Sequence, residues 1–248
     1  MYRILTLYLA KNSINKECYD TILRQKSVKQ TIVVVSAKKL DVPNNFVVEI
    51  PLKYPLPVRV GWSINRALEV YWDWRKYNYF FKIDNDVSIP PDYLIDLIKR
   101  KTPIIGPGCA MLIEASFFEK CFKSKWAVSY CDDLYMKAKA FAMGFIEKLW
   151  ETNLKPITFE YKPSYYRAYI YGKEYYKFGD PFWFMWLSLA ASIKNSLLHV
   201  PQRIPITNSI YSIGGYISEI GAKKYPWHKS YARNLTKLYL QKLLSKFL

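Results

Sequence analysis

The run Tyr79-Phe-Phe-Lys-Ile83 breaks directly into Asp84-Asn85-Asp86, and this junction narrows the folds open to the chain. A strand this aromatic suits the inside of an α/β sheet, buried on both faces. The acids then fall at the carboxyl end of a parallel strand, where open α/β sheets bind ligands. In an extended segment Asp84 and Asp86 point the same way. Two hard oxygen donors on one side suit Mg²⁺ or Mn²⁺, which also hold a diphosphate. The same tripeptide serves turns after strands, where Asp and Asn satisfy backbone groups.

The flanking sequence supports such a sheet. Ile4–Tyr8, Thr31–Val35, Phe46–Ile50 and Cys109–Ile113 read as strands. Helices are predicted over 14–26, 58–75, 92–100 and 115–122 and from Asp132, on apolar spacings of three or four residues and on Pro90, Pro91 and Pro103 as punctuation. Alternating strands and helices predict a mostly parallel sheet covered on both faces.

The second half is aromatic and less regular. Phe182–Ile193 (FWFMWLSLAASI) is its most apolar run, too short to span a bilayer and read as a buried or interfacial helix. Trp183 and Trp186 suit packing in or under that helix, or stacking on a sugar. A C-terminal helix over 230–248 places Tyr231, Leu235, Leu238, Leu243 and Phe247 on one side and Lys229, Arg233, Lys237 and Lys246 on the other. Such a helix can lie on an anionic membrane or dock on its own domain.

The 248 residues suit one α/β domain, read as 1–108, 109–229 and 230–248. A net charge of +17 calls for an anionic partner: nucleic acid, a phosphorylated substrate or a membrane surface. Cysteines at 18, 109, 121 and 131 form no CxxC pair, which speaks against a zinc cluster or disulfide framework and for a reducing compartment. The short apolar N-terminus reads as a strand rather than a leader, and the expected location is cytoplasmic, or peripheral at the inner face of a membrane.

Asp132-Asp133 opens a helix, where carboxylates favour the positive end of the dipole. A carboxylate held there can also serve as a general base toward a hydroxyl. His199 and His228 lie far from the cysteines and read as packed or solvated residues rather than ligands. Gly106 and Gly108 suit a tight turn.

The order of these motifs resembles family 2 glycosyltransferases, the large inverting group with a GT-A fold. The resemblance is carried by Ile32–Asp41, by Trp62-Ser-Ile-Asn65-Arg-Ala-Leu68, and by Lys82-Ile-Asp84-Asn-Asp86 with Ile89–Leu94. Gly106–Ile113 with Phe117–Lys120, and Asp132-Asp133 ahead of Gly144-Phe145, complete the series, and Tyr231-Ala-Arg233-Asn234 resembles a late element.

It implies a GT-A α/β fold with a central mostly parallel mixed sheet, flanking helices and an aromatic-rich helical C-terminal part. It further implies a hexosyltransferase using Mn²⁺ or Mg²⁺ and a UDP-, GDP- or dTDP-sugar, with a glycan, lipid-linked or protein acceptor. By this resemblance Asp86 binds the metal directly, Asp84 contacts the ribose or the metal's water shell, and Asp133 is the base, paired with Asp132. Asn12, Ser36, Arg59 and Asn65 fall on the nucleotide side. Ser36 stands where the family often has an acid that reads the base. Arg59 is the candidate for a positive charge otherwise carried just before Asn65. Asp132 replaces the usual Glu, and Asn208 stands near the place of a late His.

Two other classes fit parts of the pattern. A basic nucleic-acid-binding protein or metal-dependent nuclease would account for the charge, although no nucleic-acid-reading motif appears and no specific nucleic acid is expected. A decayed transferase acting at a membrane would account for the basic aromatic half.

Overall fold

The computed structural model describes residues 1–50, 53–145, 157–158, 164–197 and 206–244. The chain divides into two compact units. One comprises Met1–Ala140 with Glu147–Tyr161, and the other Phe141–Ile146 with Lys162–Leu248.

The first unit is built on a six-stranded sheet. Its elements are β1 (Tyr2–Leu9), α1 (Lys16–Leu23), β2 (Val28–Ser36), β3 (Asn45–Val47), α2 (Leu56–Tyr71), β4 (Tyr79–Asp84), β5 (Val87–Ser88), α3 (Tyr93–Lys99), β6 (Ile104–Ile105), β7 (Ala110–Glu114) and α4 (Ala115–Phe122), then α5 (Asp132–Ala142), which starts here, and β8 (Ile157–Thr158). The strand order is β3-β2-β1-β4-β7-β6, with β5 and β8 paired separately. Strands β1 to β4 run parallel, whereas β7 is antiparallel to both β4 and β6. The order reverses about β1: the chain moves outward to β2 and β3 and returns to β4 on the other side. A crevice outside the carboxyl ends of β1 and β4 follows from that reversal.

Side-chain alternation gives the sheet two cores. On one face Ile4, Tyr8, Phe81 and Ile83 pack with Ile22 of α1 and with Tyr93, Leu94 and Leu97 of α3. On the other, Phe80 stacks on Phe118 of α4 and meets the edges of Trp72 and Trp126. Each expected strand and helix of this half is present, with ends displaced by a few residues. Helix α1 begins later than expected, where Asn15 caps it by accepting from the Cys18 N–H at 3.3 Å. Helix α2 stops at Tyr71 rather than near 75, because Trp72 leaves it in an extended conformation.

The second unit is helical: α6 (Tyr165–Phe178), α7 (Phe182–Leu197), α8 (Ile206–Ser218) and α9 (His228–Leu244). Helices α6 and α8 pack closely because each offers a glycine to the other's backbone. A Cβ on Gly172 would fall 1.8 Å from the Ser212 carbonyl oxygen, and one on Gly215 would fall 1.9 Å from that of Tyr169. Behind them Phe178, Tyr225, Trp227 and Tyr231 form a cluster of stacked and edge-on rings. Tyr231 and Leu235, on the apolar side predicted for α9, are buried. That side is therefore docked within the unit over the described residues, and residues 245–248 lie outside them.

The expected fold class is thus what the chain adopts: a mostly parallel mixed sheet flanked by helices, followed by an aromatic-rich helical part. Among the described residues no helix is long and apolar enough to cross a membrane.

Candidate active site

Strand β4 delivers Lys82 and Asp84 to the carboxyl edge of the sheet, beside the end of β1, where Leu9 and Asp84 are register partners. Lys82 is buried, and its ammonium lies 2.6 Å from Asp84 Oδ1 while donating to the Gly108 carbonyl at 2.7 Å. One lysine thereby ties the strand end to the turn that precedes β7. Burial alone would push its pKa down, but Asp84, Asp132 and Asp133 together hold it above the ordinary value.

Gly108 brings in the third carboxylate. A Cβ there would fall 1.6 Å from Asp133 Oδ2, so the absence of a side chain lets α5 approach this turn. The tight-turn reading holds at Gly106, which has φ near +98°, while Gly108 serves close approach instead. Asp133 Oδ1 accepts from the Leu134 N–H at 2.8 Å. Its neighbour Asp132 accepts from the indole N–H of Trp126 at 2.6 Å. Burial, reinforced by the charge of Asp133, raises the Asp132 carboxyl to about 6. Burial also raises Asp84, with Lys82 opposing and Asp86 and Asp133 adding to the rise. Lys137, one helical turn after Asp133, is buried and driven below its usual value, although Asp133 works against that drop.

The turn carrying Asp86 differs from the sequence expectation. Strand β4 ends at Asp84, and Asn85-Asp86 form a turn, so the two acids are not alternate positions of one extended segment. The reason lies in Asn85. Its side-chain oxygen accepts from the Tyr8 hydroxyl at 2.7 Å and from the Asn15 N–H at 2.9 Å, which draws the chain out of the sheet. Asp86 is left exposed at the turn, near enough to Asp84 to add to its raised pKa.

The structure therefore gathers Asp84, Asp86, Asp132 and Asp133. Ser36 is buried at the end of β2; its hydroxyl donates to the Lys38 carbonyl and accepts from the Asn45 amide, bonds that shape the β2–β3 connection. Asn65 exchanges two hydrogen bonds with the Trp126 backbone, at 2.9 and 2.7 Å. It reaches the acids only through Trp126, as a support for Asp132. Arg59 lies on α2, with its Nε buried and lacking a hydrogen-bond partner among the described residues. Asn12 is exposed in the bend after β1.

In the helical unit, His228 turns Nδ1 to the Tyr225 carbonyl at 2.8 Å, a local contact. His199 lies outside the described residues. Trp183 and Trp186 do not pack under their helix as expected, since both are about half exposed.

Sequence reasoning passed over Lys82, Lys137, Trp126 and Asn85 as working parts. Two of them had a signal. A lysine inside a buried aromatic strand needs a partner, and Lys137 stands four residues after Asp133 on a helix. The Trp126 link, across a loop, had none.

Asp84 and Asp86 suit a hard divalent cation by donor type. The mutual repulsion of the carboxylates, only partly offset by Lys82, is the setting in which a cation binds. No group of three or more His, Cys, Asp or Glu side chains able to hold a metal forms among the described residues. The set thus fits a cation held jointly with oxygens of a diphosphate rather than an all-protein cage.

No protein-family model and no curated protein matches the chain. Among solved structures, it is similar to residues 1–349 of S. aureus TarS in complex with UDP, at 12% identity and a TM-score of 0.46, over 67% of this chain and 63% of that one. A second structure of S. aureus TarS 1–349 aligns at 10% identity and a TM-score of 0.47, over 88% of this chain and 71% of that one. A longer TarS structure gives the same identity and score over 90% of this chain and 44% of that one.

Proposed function

We propose that the chain is an inverting glycosyltransferase that moves a sugar from a nucleotide diphosphate donor to an acceptor hydroxyl. The observation that carries this reading is the convergence of Asp84 and Asp133 at the carboxyl end of β4, joined through Lys82 and Gly108. A carboxylate toward the diphosphate and a second toward the acceptor, fixed on one scaffold, are the two groups a single displacement needs.

In that displacement the acceptor oxygen forms a bond to the anomeric carbon as the bond from that carbon to the diphosphate oxygen breaks on the opposite face. The acceptor proton passes to Asp133. One Asp132 oxygen is engaged by the Trp126 indole N–H, which ties that carboxylate to the loop. Asp132 instead positions the start of α5. Asp86, with Asp84 behind it, would hold Mn²⁺ or Mg²⁺. Such a cation, when bound, supplies positive charge to the leaving diphosphate. Lys82 favours the ionised form of Asp84 and holds its carboxylate in place. The acceptor class is a glycan, a lipid-linked sugar or a protein.

The test is a panel of UDP-, GDP- and dTDP-sugars screened for binding and hydrolysis with Mn²⁺ and with EDTA. Asp86→Ala should weaken metal-dependent donor binding, whereas Asp133→Ala should keep binding and lose turnover. Failure of the wild-type protein to bind any donor, with salt-sensitive DNA binding in its place, would move the assignment to the nucleic-acid class.

A further inference from the structure

We propose that the outward face of α7 docks the helical unit on the surface of a bilayer rich in anionic lipid. The inference stands apart from the transferase reading. Helix α7 carries its side chains the wrong way round for water. Phe182, Trp183, Trp186, Leu187 and Ile193 are 40–51% exposed, while Met185 and Ser192 face inward at 3% and 6%. The outward residues recur at helical spacing and form one continuous face. Inside, the Ser192 hydroxyl bonds the Ser188 carbonyl and the Ser209 hydroxyl, each at 3.0 Å. A helix that buries hydroxyls and exposes indoles is stable against a surface less polar than water. Large apolar side chains left in water forgo the stabilisation that burial would give them.

Charge decides which surface. The acids of this unit's described residues are Glu174, Asp180 and Glu219. Glu174 and Asp180 are buried, and Glu219 pairs with Lys173 and Lys177. What the unit turns outward is cationic, as expected of a chain with net charge +17. Lys194 closes the α7 face. Trp183 meets Tyr239 of α9 edge-on at 5.6 Å, and the exposed Leu240 follows Tyr239 on that helix. With its own apolar side docked at Tyr231 and Leu235, α9 turns Arg233 and Lys237 to solvent, and α7 contributes the inserted rings. Tryptophan over an acyl boundary, rimmed by lysine, is the arrangement that suits lipid headgroups rather than a hydrocarbon span.

The experiment uses the full chain with vesicles of phosphatidylcholine alone and of phosphatidylcholine mixed with phosphatidylglycerol, read by co-flotation and by quenching of tryptophan with brominated lipid. Wild type should float with the mixed vesicles and be quenched. The double variant Trp186→Lys, Leu187→Lys adds positive charge, so adsorption by charge alone would strengthen, whereas insertion of α7 predicts at least about a tenfold loss of partitioning. Trp186→Phe should restore most of it, and unchanged melting of the variants confirms that the fold survives. Vesicle binding that is absent in wild type, or equal or stronger in the lysine variant, overturns the proposal. So does a concentration-dependent dimer in sedimentation that the lysine variant abolishes, because a second copy would then cover the face.

Discussion

The two units treat charge and aromatic surface in opposite ways. The sheet unit buries ionisable groups together: Lys82 with Asp84, and Asp132, Asp133 and Lys137 around it. The helical unit buries Glu174 against Lys177, and buries Asp180 among rings. Both of its oxygens are buried without a well-formed hydrogen bond, with Tyr231 the hydroxyl that approaches them, and burial raises it to about 8. Clustered buried charge is costly to fold and serves where it acts on a reacting group. An aromatic unit with its apolar side chains partly outward serves at a surface.

The sharpest way to break this comparison is at the cluster. Asp133→Asn should lower transfer by about 10²–10⁴-fold while donor affinity and melting temperature stay put. Gly108→Ala should act in the same direction, because its methyl would occupy the place of Asp133 Oδ2. Steady-state kinetics beside a donor-binding titration decides. Full activity in either variant would remove Asp133 from the chemistry.

Lys82→Met tests whether the sheet unit's charges support one another. It leaves a group of carboxylates without their central cation, and urea denaturation should show a loss of about 3–5 kcal/mol, the range for breaking a buried pair. A neutral outcome would mean that solvent screens the cluster.

Asp180→Asn tests the opposite arrangement. With its carboxyl raised from 3.8 to about 8, the native state holds a proton that the unfolded chain has released. The contribution of Asp180 to stability is therefore greatest below about pH 4 and declines as pH rises toward 8, by an amount on the order of a few kcal/mol. The asparagine variant should flatten that decline, so melts at pH 5 and pH 8 should converge relative to wild type. Parallel curves would place the proton elsewhere.

The smallest effect is expected at Asn65. Asn65→Ala removes two hydrogen bonds to the Trp126 backbone and should cost about 1–3 kcal/mol in stability. Donor affinity should stay unchanged. A selective fall in donor affinity would return Asn65 to the nucleotide pocket.

The strands and helices of the first unit were legible because apolar period and punctuation agree there. TIVVV, YFFKID and the Ile64–Leu68 spacing each admit one reading. Helices α6 and α8 were not. The tyrosines of YYRAYIYGKEYYKF fall on every face, and ITNSIYSIGGYIS combines β-branched residues with two glycines that disfavour a helix. They pack against one another at Gly172 and Gly215, where the facing backbone fills the place of a side chain.

The sequence alone determined that acids end the central strand and open a later helix, since both depend on local patterns of burial and capping. Tertiary structure decided which acids meet. Lys82, Gly108 and Trp126 are brought to Asp84, Asp133 and Asp132 by antiparallel pairing of β4 with β7 and by loop packing. The turn at Asn85 is set by Tyr8 and Asn15 from a distant part of the chain. The outward face of α7 was equally a tertiary outcome, because periodicity shows that a helix has an apolar side but not whether that side finds a neighbour.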